Sequence, residues 1–214
     1  PCDGLQGYRI TKERERILTR DEIAKVLATA SGGIEGNFAT MILLLFYTAQ
    51  RRGQFSHLRW SYIADGNITW PASAMKANRD HFIPITPLVE RLLTRQRFRY
   101  PSGNLAFPAR GSPHNAFSGW SRSLERFHKA SGTSGWSLHD LRRTTSTFLG
   151  ESGTAPHVID ALTAHTSNGT IGKVARIYNR YQYRSEMYEA LLKIEETFPI
   201  HLDASERITV SGEA

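Results

Sequence analysis

The chain of 214 residues carries 27 Lys and Arg against 20 Asp and Glu, a formal charge of +7, and 40% hydrophobic residues. That apolar share is enough to bury a core and excludes intrinsic disorder, while the longest apolar run, Met41 to Tyr47, is too short to cross a bilayer and excludes a helical membrane protein. The single cysteine, Cys2, excludes a disulfide scaffold and points to a reducing, intracellular setting; the basic balance suits an anionic partner such as nucleic acid.

Residues 1–18 mix Gly, Lys, Arg and Glu without an apolar period and read as a linker or domain-boundary segment. Thr19 and Glu22 have capping-box spacing ahead of Ile23, Val26, Leu27 and Ala30, which predicts a helix from about Arg20 to Ala30. Gly32, Gly33 and Gly36 break it. Asn37 then reads as the cap of a buried helix through Met41, Leu44, Leu45 and Thr48 that stops near Gly53, with Arg51 at its end. Asn67 to Trp70 and His81 to Ile85 are β-rich around the polar Lys76-Ala77-Asn78-Arg79, and predict a small β-hairpin or three-stranded edge sheet with Lys76 on or beside its turn.

Helical patterns follow at Leu88 to Phe98, Ala116 to Ala130, Leu138 to Glu151, Pro156 to Ala164, Lys173 to Tyr178 and Glu186 to Phe198. In the last, Met187, Tyr188, Leu191, Leu192, Ile194 and Phe198 share one face, which either covers its own core or docks on a neighbouring protomer. The expected fold is mainly α with a small sheet (α+β). Residues 19–198 form one domain, and 199–214 form a polar carboxyl-terminal tail.

Ser137 and Asp140 again have capping-box spacing and start a helix immediately before His139. His139 and Arg142, three apart, share one face in the first turns, where unpaired N–H groups and the helix dipole attract an anion such as phosphate. Read alone, Arg142 and Arg143 are equally consistent with solvated charges, Lys76 with an ordinary hairpin lysine, and Arg51 and Arg52 with cations at a helix carboxyl end. His57, His81, His114, His128, His157 and His201 are scattered, with no carboxylate or Cys at metal-ligand spacing.

Downstream, Leu162-Thr163-Ala164-His165 is followed thirteen residues after His165 by Tyr178-Asn179-Arg180. With Thr48-Ala49-Gln50-Arg51-Arg52-Gly53 and His139-Asp140-Leu141-Arg142-Arg143-Thr144, this order resembles the tyrosine recombinases, or phage integrases, and looks closest to those of temperate phages and genomic islands. The resemblance spans about Leu18 to Phe198. It implies the tyrosine recombinase catalytic-domain fold and site-specific DNA recombination through a 3′-phosphotyrosine intermediate.

By the same resemblance Arg51 and Arg142 bind the scissile phosphate, Lys76 protonates the leaving 5′-oxygen, His139 accepts a proton or orients the phosphate, His165 donates to a non-bridging oxygen, and Tyr178 is the nucleophile. No cofactor or metal is implied. Partners implied are double-stranded DNA attachment sites and other protomers in a DNA-bound tetramer, with room for accessory DNA-bending proteins, in the cytoplasm of a bacterial host. The chain begins without Met and resembles only the carboxyl-terminal portion of the family, so an amino-terminal DNA-binding domain is expected to have been left off. Two departures stand out: Gln54, where the family commonly has an acidic buttress for the first arginine, and Thr163-Ala164, where Leu-Gly or a similar pair is usual and an effect on packing is expected. The readings left beside recombination are relaxation of the type IB topoisomerase kind and a catalytically silent DNA-binding protein.

Overall fold

The computed structural model describes residues 16–33, 36–165 and 182–202. Helix α1, Arg20–Ala28, starts on the expected box: Thr19 Oγ1 accepts the Glu22 N–H at 3.2 Å and the Glu22 carboxylate accepts the Thr19 N–H at 3.0 Å. A π-type turn over Thr29–Gly33 prolongs it. Helix α2, Asn37–Thr48, is buried on nearly every side and forms the axis on which the other elements pack. Gly36, at φ 114, occupies the N-cap position instead of Asn37. The Asn37 amide turns inward, donating to the Pro108 carbonyl at 2.6 Å and accepting from Gln96 Nε2 at 2.7 Å.

Helix α2 ends at Thr48 and does not reach Gly53. Ala49 takes the left-handed conformation (φ 53), and its carbonyl accepts a 2.8 Å bond from Arg142 Nη1. A left-handed alanine costs roughly 1–2 kcal/mol, so the tertiary bond opposes the local preference of a good helix former. A separate short helix, α3 at Arg52–Ser56, follows with Arg51 as its N-cap. Arg51 therefore stands at a helix amino end, where the dipole does not favour a cation, and the expectation of a charge-offsetting arginine at a carboxyl end is corrected.

Strands β1 (Ile63–Ala64), β2 (Asn67–Trp70) and β3 (His81–Pro84) form an antiparallel sheet in that order, with Trp70 opposite His81 at its open end. Lys76 is exposed in the connection between β2 and β3, as the hairpin reading requires. Helix α4, Pro87–Arg99, begins with Pro at its first position. The Glu195 carboxylate closes that end by accepting from the Thr86 hydroxyl and, at 3.3 Å, from the Leu88 N–H.

A second hairpin, β4 (Pro108–Ala109) with β5 (Ser112–Ala116), was not anticipated: a strand of Ser, Pro, His, Asn and Ala has little β-propensity and no apolar alternation. It moves the start of α5 from Ala116 to Trp120, giving Trp120–Ser131.

Helices α6 (Leu138–Glu151), α7 (Pro156–Thr163) and α8 (Arg184–Thr197) complete the described fold. Helix α8 buries Met187, Ala190, Leu191 and Ile194 against its own chain, and Phe198 lies edge-on to Phe46 (5.4 Å) and Phe148 (5.0 Å). Within this chain that apolar face covers its own core, the first of the two readings. Tyr188 is 36% exposed and not in the core, because the buried stripe runs through positions 187, 190, 191 and 194. The helix expected at 173–178 lies outside the described residues, as do 203–214 of the polar tail expected at 199–214; in its described start Ile200 and Leu202 pack against the core. Among the described residues no helix is long and apolar enough to cross a membrane.

Candidate active site

The first turn of α6 is set by Asp140, whose carboxylate is fully buried and accepts from both the Ser137 N–H and the Ser137 hydroxyl at 2.8 Å. Arg143 donates to its other oxygen at 3.2 Å. With the turn fixed, Arg142 points inward and is only 6% exposed, which excludes the reading of a solvated charge. Its Nη1 reaches the Ala49 carbonyl and its Nη2 the Thr163 carbonyl at 2.6 Å. Arg51 Nη1 approaches the same Thr163 carbonyl at 3.4 Å.

The ends of α2, α6 and α7 thus bring two guanidinium groups to one oxygen atom. Among the described residues no carboxylate pairs with either group. Burial, and then the Arg51 charge, push the Arg142 pKa down from the ordinary arginine value to about 9. An arginine so placed holds its proton most comfortably with an anion beside it. Each guanidinium has five N–H donors, so the bonds to the Ala49 and Thr163 carbonyls leave donors of both groups available.

A cleft of about 700 Å³ opens over this pair, lined by Arg51, His139, Arg142, Arg143, Thr163 and His165 among others. His139 is exposed on it. Partial desolvation of its ring, and then Arg143, Arg142 and Arg51, lower its pKa against the opposing pull of Asp140, so its imidazole is neutral at pH 7 and has a lone pair to accept a proton. His165 follows α7 through Ala164, which is left-handed at φ 47. The Ala164 departure therefore concerns the backbone and not packing alone, since glycine adopts this conformation without strain. The His165 ring is 61% exposed, with Nδ1 3.8 Å from the Asp160 carboxylate.

Four predicted residues, Arg51, His139, Arg142 and His165, line this one cleft. Lys76 is on its exposed loop and not among the residues lining the cleft. Tyr178 lies outside the described residues.

Gln54 does not buttress the Arg51 guanidinium. Its Oε1 accepts the Arg51 backbone N–H at 2.9 Å, while its Nε2 donates to Gln50 Oε1 at 2.9 Å. Gln50, 1% exposed, gives both amide hydrogens away at 2.7 Å, one to the Thr48 carbonyl and one to the Leu162 carbonyl. Its Oε1 is left to accept from His81 Nε2 at 2.9 Å. His81 is stacked on Trp70 (5.7 Å, 13°), and Trp70 Nε1 donates to the Gln54 carbonyl at 3.0 Å.

Sequence reasoning singled out neither Gln50 nor His81. The available signal was a lone amide after an apolar helix and a histidine at the start of a strand, both easily taken for surface groups.

The phage integrase family model matches residues 16–184. Prophage integrase IntZ of Escherichia coli (strain K12) is 36% identical over 149 residues, which cover 67% of this chain and 35% of that relative. The integrase of Shigella phage Sf6 is 30% identical over 197 residues, covering 89% of this chain and 49% of the relative. A solved lambda integrase dimer bound to a COC′ core site superposes with a TM-score of 0.58 at 23% identity, over 80% of this chain and 49% of that one. The chain thus spans less than half the length of these curated relatives, and its mostly helical architecture with small antiparallel sheets is the tyrosine recombinase catalytic-domain fold. With a family match over most of its length and the arginine pair set beside His139 and His165, the chain belongs to the phage integrase family.

Proposed function

We propose that this chain is the strand-cleaving and rejoining portion of a site-specific DNA recombinase acting through a 3′-phosphotyrosine. The observation that carries the reading is the convergence of Arg51 and Arg142 on the Thr163 carbonyl, with no carboxylate among the described residues to neutralise them. A phosphodiester attacked by an oxygen nucleophile passes through a crowded, more negative phosphorane-like state. Two fixed guanidinium groups grip that state more strongly than the ground state and so lower the barrier.

Tyr178 supplies the nucleophile. A phenol with an ordinary pKa near 10 needs a base or a positive field to react near neutrality, and neutral His139 beside the arginines provides both. The Tyr178 oxygen bonds to phosphorus as the bond to the 5′-oxygen breaks. Lys76 gives that oxygen its proton, and His165 donates to a non-bridging oxygen. The free 5′-hydroxyl of a second strand reverses the attack, so bond energy is conserved and no nucleotide cofactor or metal is needed. The substrates are duplex attachment sites, joined by other protomers in a DNA-bound tetramer, in the cytoplasm of a bacterial host.

Lys76→Ala provides the test. Its cleavage rate is expected to fall by about 10²- to 10⁴-fold on an ordinary phosphodiester. A 5′-phosphorothiolate substrate, whose sulfur leaves without a proton, is expected to restore it. Absence of rescue would make Lys76 a binding residue and leave the leaving-group step unassigned.

A further inference from the structure

We propose that His81 is a positioning residue for DNA cleavage, holding the base of the Lys76 loop to the turn that carries Arg51 through its bond to Gln50. The proposal rests on the recombinase reading above and adds a residue outside the set drawn from the family resemblance.

Donors and acceptors in the network leave little freedom. Gln50 Nε2 is spent on the Thr48 and Leu162 carbonyls, which fixes its amide orientation and makes Oε1 an acceptor twice over, from Gln54 and from His81. His81 must then carry its proton on Nε2. Burial, and then the Arg142 and Arg51 charges, lower its pKa to about 4, so it remains a neutral donor near pH 7.

The same bond spans three parts of the site. Leu162 and Thr163 are the last carbonyls before the turn to His165, and they are held by Gln50 and by the arginine pair respectively. Gln54 links Gln50 to the Arg51 backbone. On the other side, His81 and Trp70 are the last paired residues of β2 and β3, and the Lys76 loop leaves the sheet from them. The loop base is closed again by the Asp80 carboxylate, which accepts the Ala72 N–H at 2.7 Å. Only 7% of His81 is exposed, and Trp70 lies flat against its ring, so the imidazole cannot swing away. Removing its N–H leaves the Trp70 bond to the Gln54 carbonyl as the remaining tie described between the loop base and the arginine turn, while Gln54 still bonds to Gln50 Oε1, leaving no buried acceptor empty.

The test measures single-turnover cleavage of a nicked suicide duplex by the full 214-residue chain at saturating protein, together with duplex affinity and thermal midpoint. His81→Leu is expected to cleave about 10- to 100-fold more slowly at unchanged affinity, the size of effect that a small misplacement of reacting groups produces. His81→Gln, which restores an N–H at similar reach, is expected to recover most of the rate. Should His81→Leu fail to fold, the His81→Gln and His81→Asn pair makes the same comparison, because Asn is too short to reach Gln50.

Cleavage by His81→Leu at the wild-type rate, or a Gln variant no faster than Leu or Asn, overturns the proposal. Arg51→Ala run alongside separates the two levels. An inactive Arg51→Ala beside a fully active His81→Leu removes only the positioning role, whereas an active Arg51→Ala removes the recombinase reading itself.

Discussion

Tyr178→Phe is expected to abolish the covalent protein–DNA species while leaving duplex affinity unchanged, because the substitution removes one oxygen and no charge. The effect is total and not graded: without a nucleophile there is no intermediate for the arginines to stabilise. Eight tyrosines occur in the chain, and Tyr181 and Tyr183 follow Tyr178 closely. Tyr183 packs its partly buried ring against His157 at 4.8 Å and is not among the residues lining the arginine cleft. Tyr178 and Tyr181 must be separated chemically. Digestion of the wild-type adduct is expected to give a nucleotidyl peptide on Tyr178; the label on Tyr181 would move the nucleophile.

The arginine pair carries the second large effect. Alanine at Arg51 or at Arg142 is expected to slow cleavage by about 10²- to 10³-fold, the usual loss for a group aimed at charge that develops in the transition state. The double variant is expected to fall little further, since one guanidinium without the other no longer brackets the phosphate. Arg142 also ties Ala49 to Thr163, so its alanine variant loosens the join between α2 and α7; Arg51, exposed at the start of α3, adds to that join the longer 3.4 Å bond to the Thr163 carbonyl. Arg142→Lys keeps a charge without the planar fork and is expected to remain impaired. Fully multiplicative losses in the double variant would show that the two groups do not share a phosphate.

What was legible in the chain depended on whether the deciding force was local. The α6 boundaries follow from Ser137 and Asp140, whose box is a contact within four residues, and Leu138–Glu151 was found where expected. The strands on either side of Lys76 were found to within one residue for the same reason, since β-branched and aromatic residues alternate there. Ala49 and Ala164 were not legible as left-handed turns. Alanine favours a helix, and only the distant arginines and α7 make those turns worthwhile. The β4–β5 hairpin was missed because its strands are short and polar.

Within the site, the grouping of Arg51, His139, Arg142 and His165 was readable from motif order, since the resemblance supplies long-range contacts that spacing alone does not. The support beneath them was not. Gln50, Gln54 and His81 meet across two helices and a strand, and nothing in their sequence separations records that they share one oxygen.

Phosphotyrosine chemistry in this chain is tested by incubating it with a duplex of its attachment site nicked beside the scissile phosphate. The short strand released by cleavage carries the 5′-hydroxyl away, so rejoining is blocked and the intermediate accumulates. The expected product is a denaturant-resistant species of one chain joined to DNA through a 3′-phosphate, with a free 5′-hydroxyl on the released strand and no requirement for ATP or divalent metal. A chain that binds this duplex yet leaves the scissile phosphodiester intact and itself unlinked would overturn the recombinase reading.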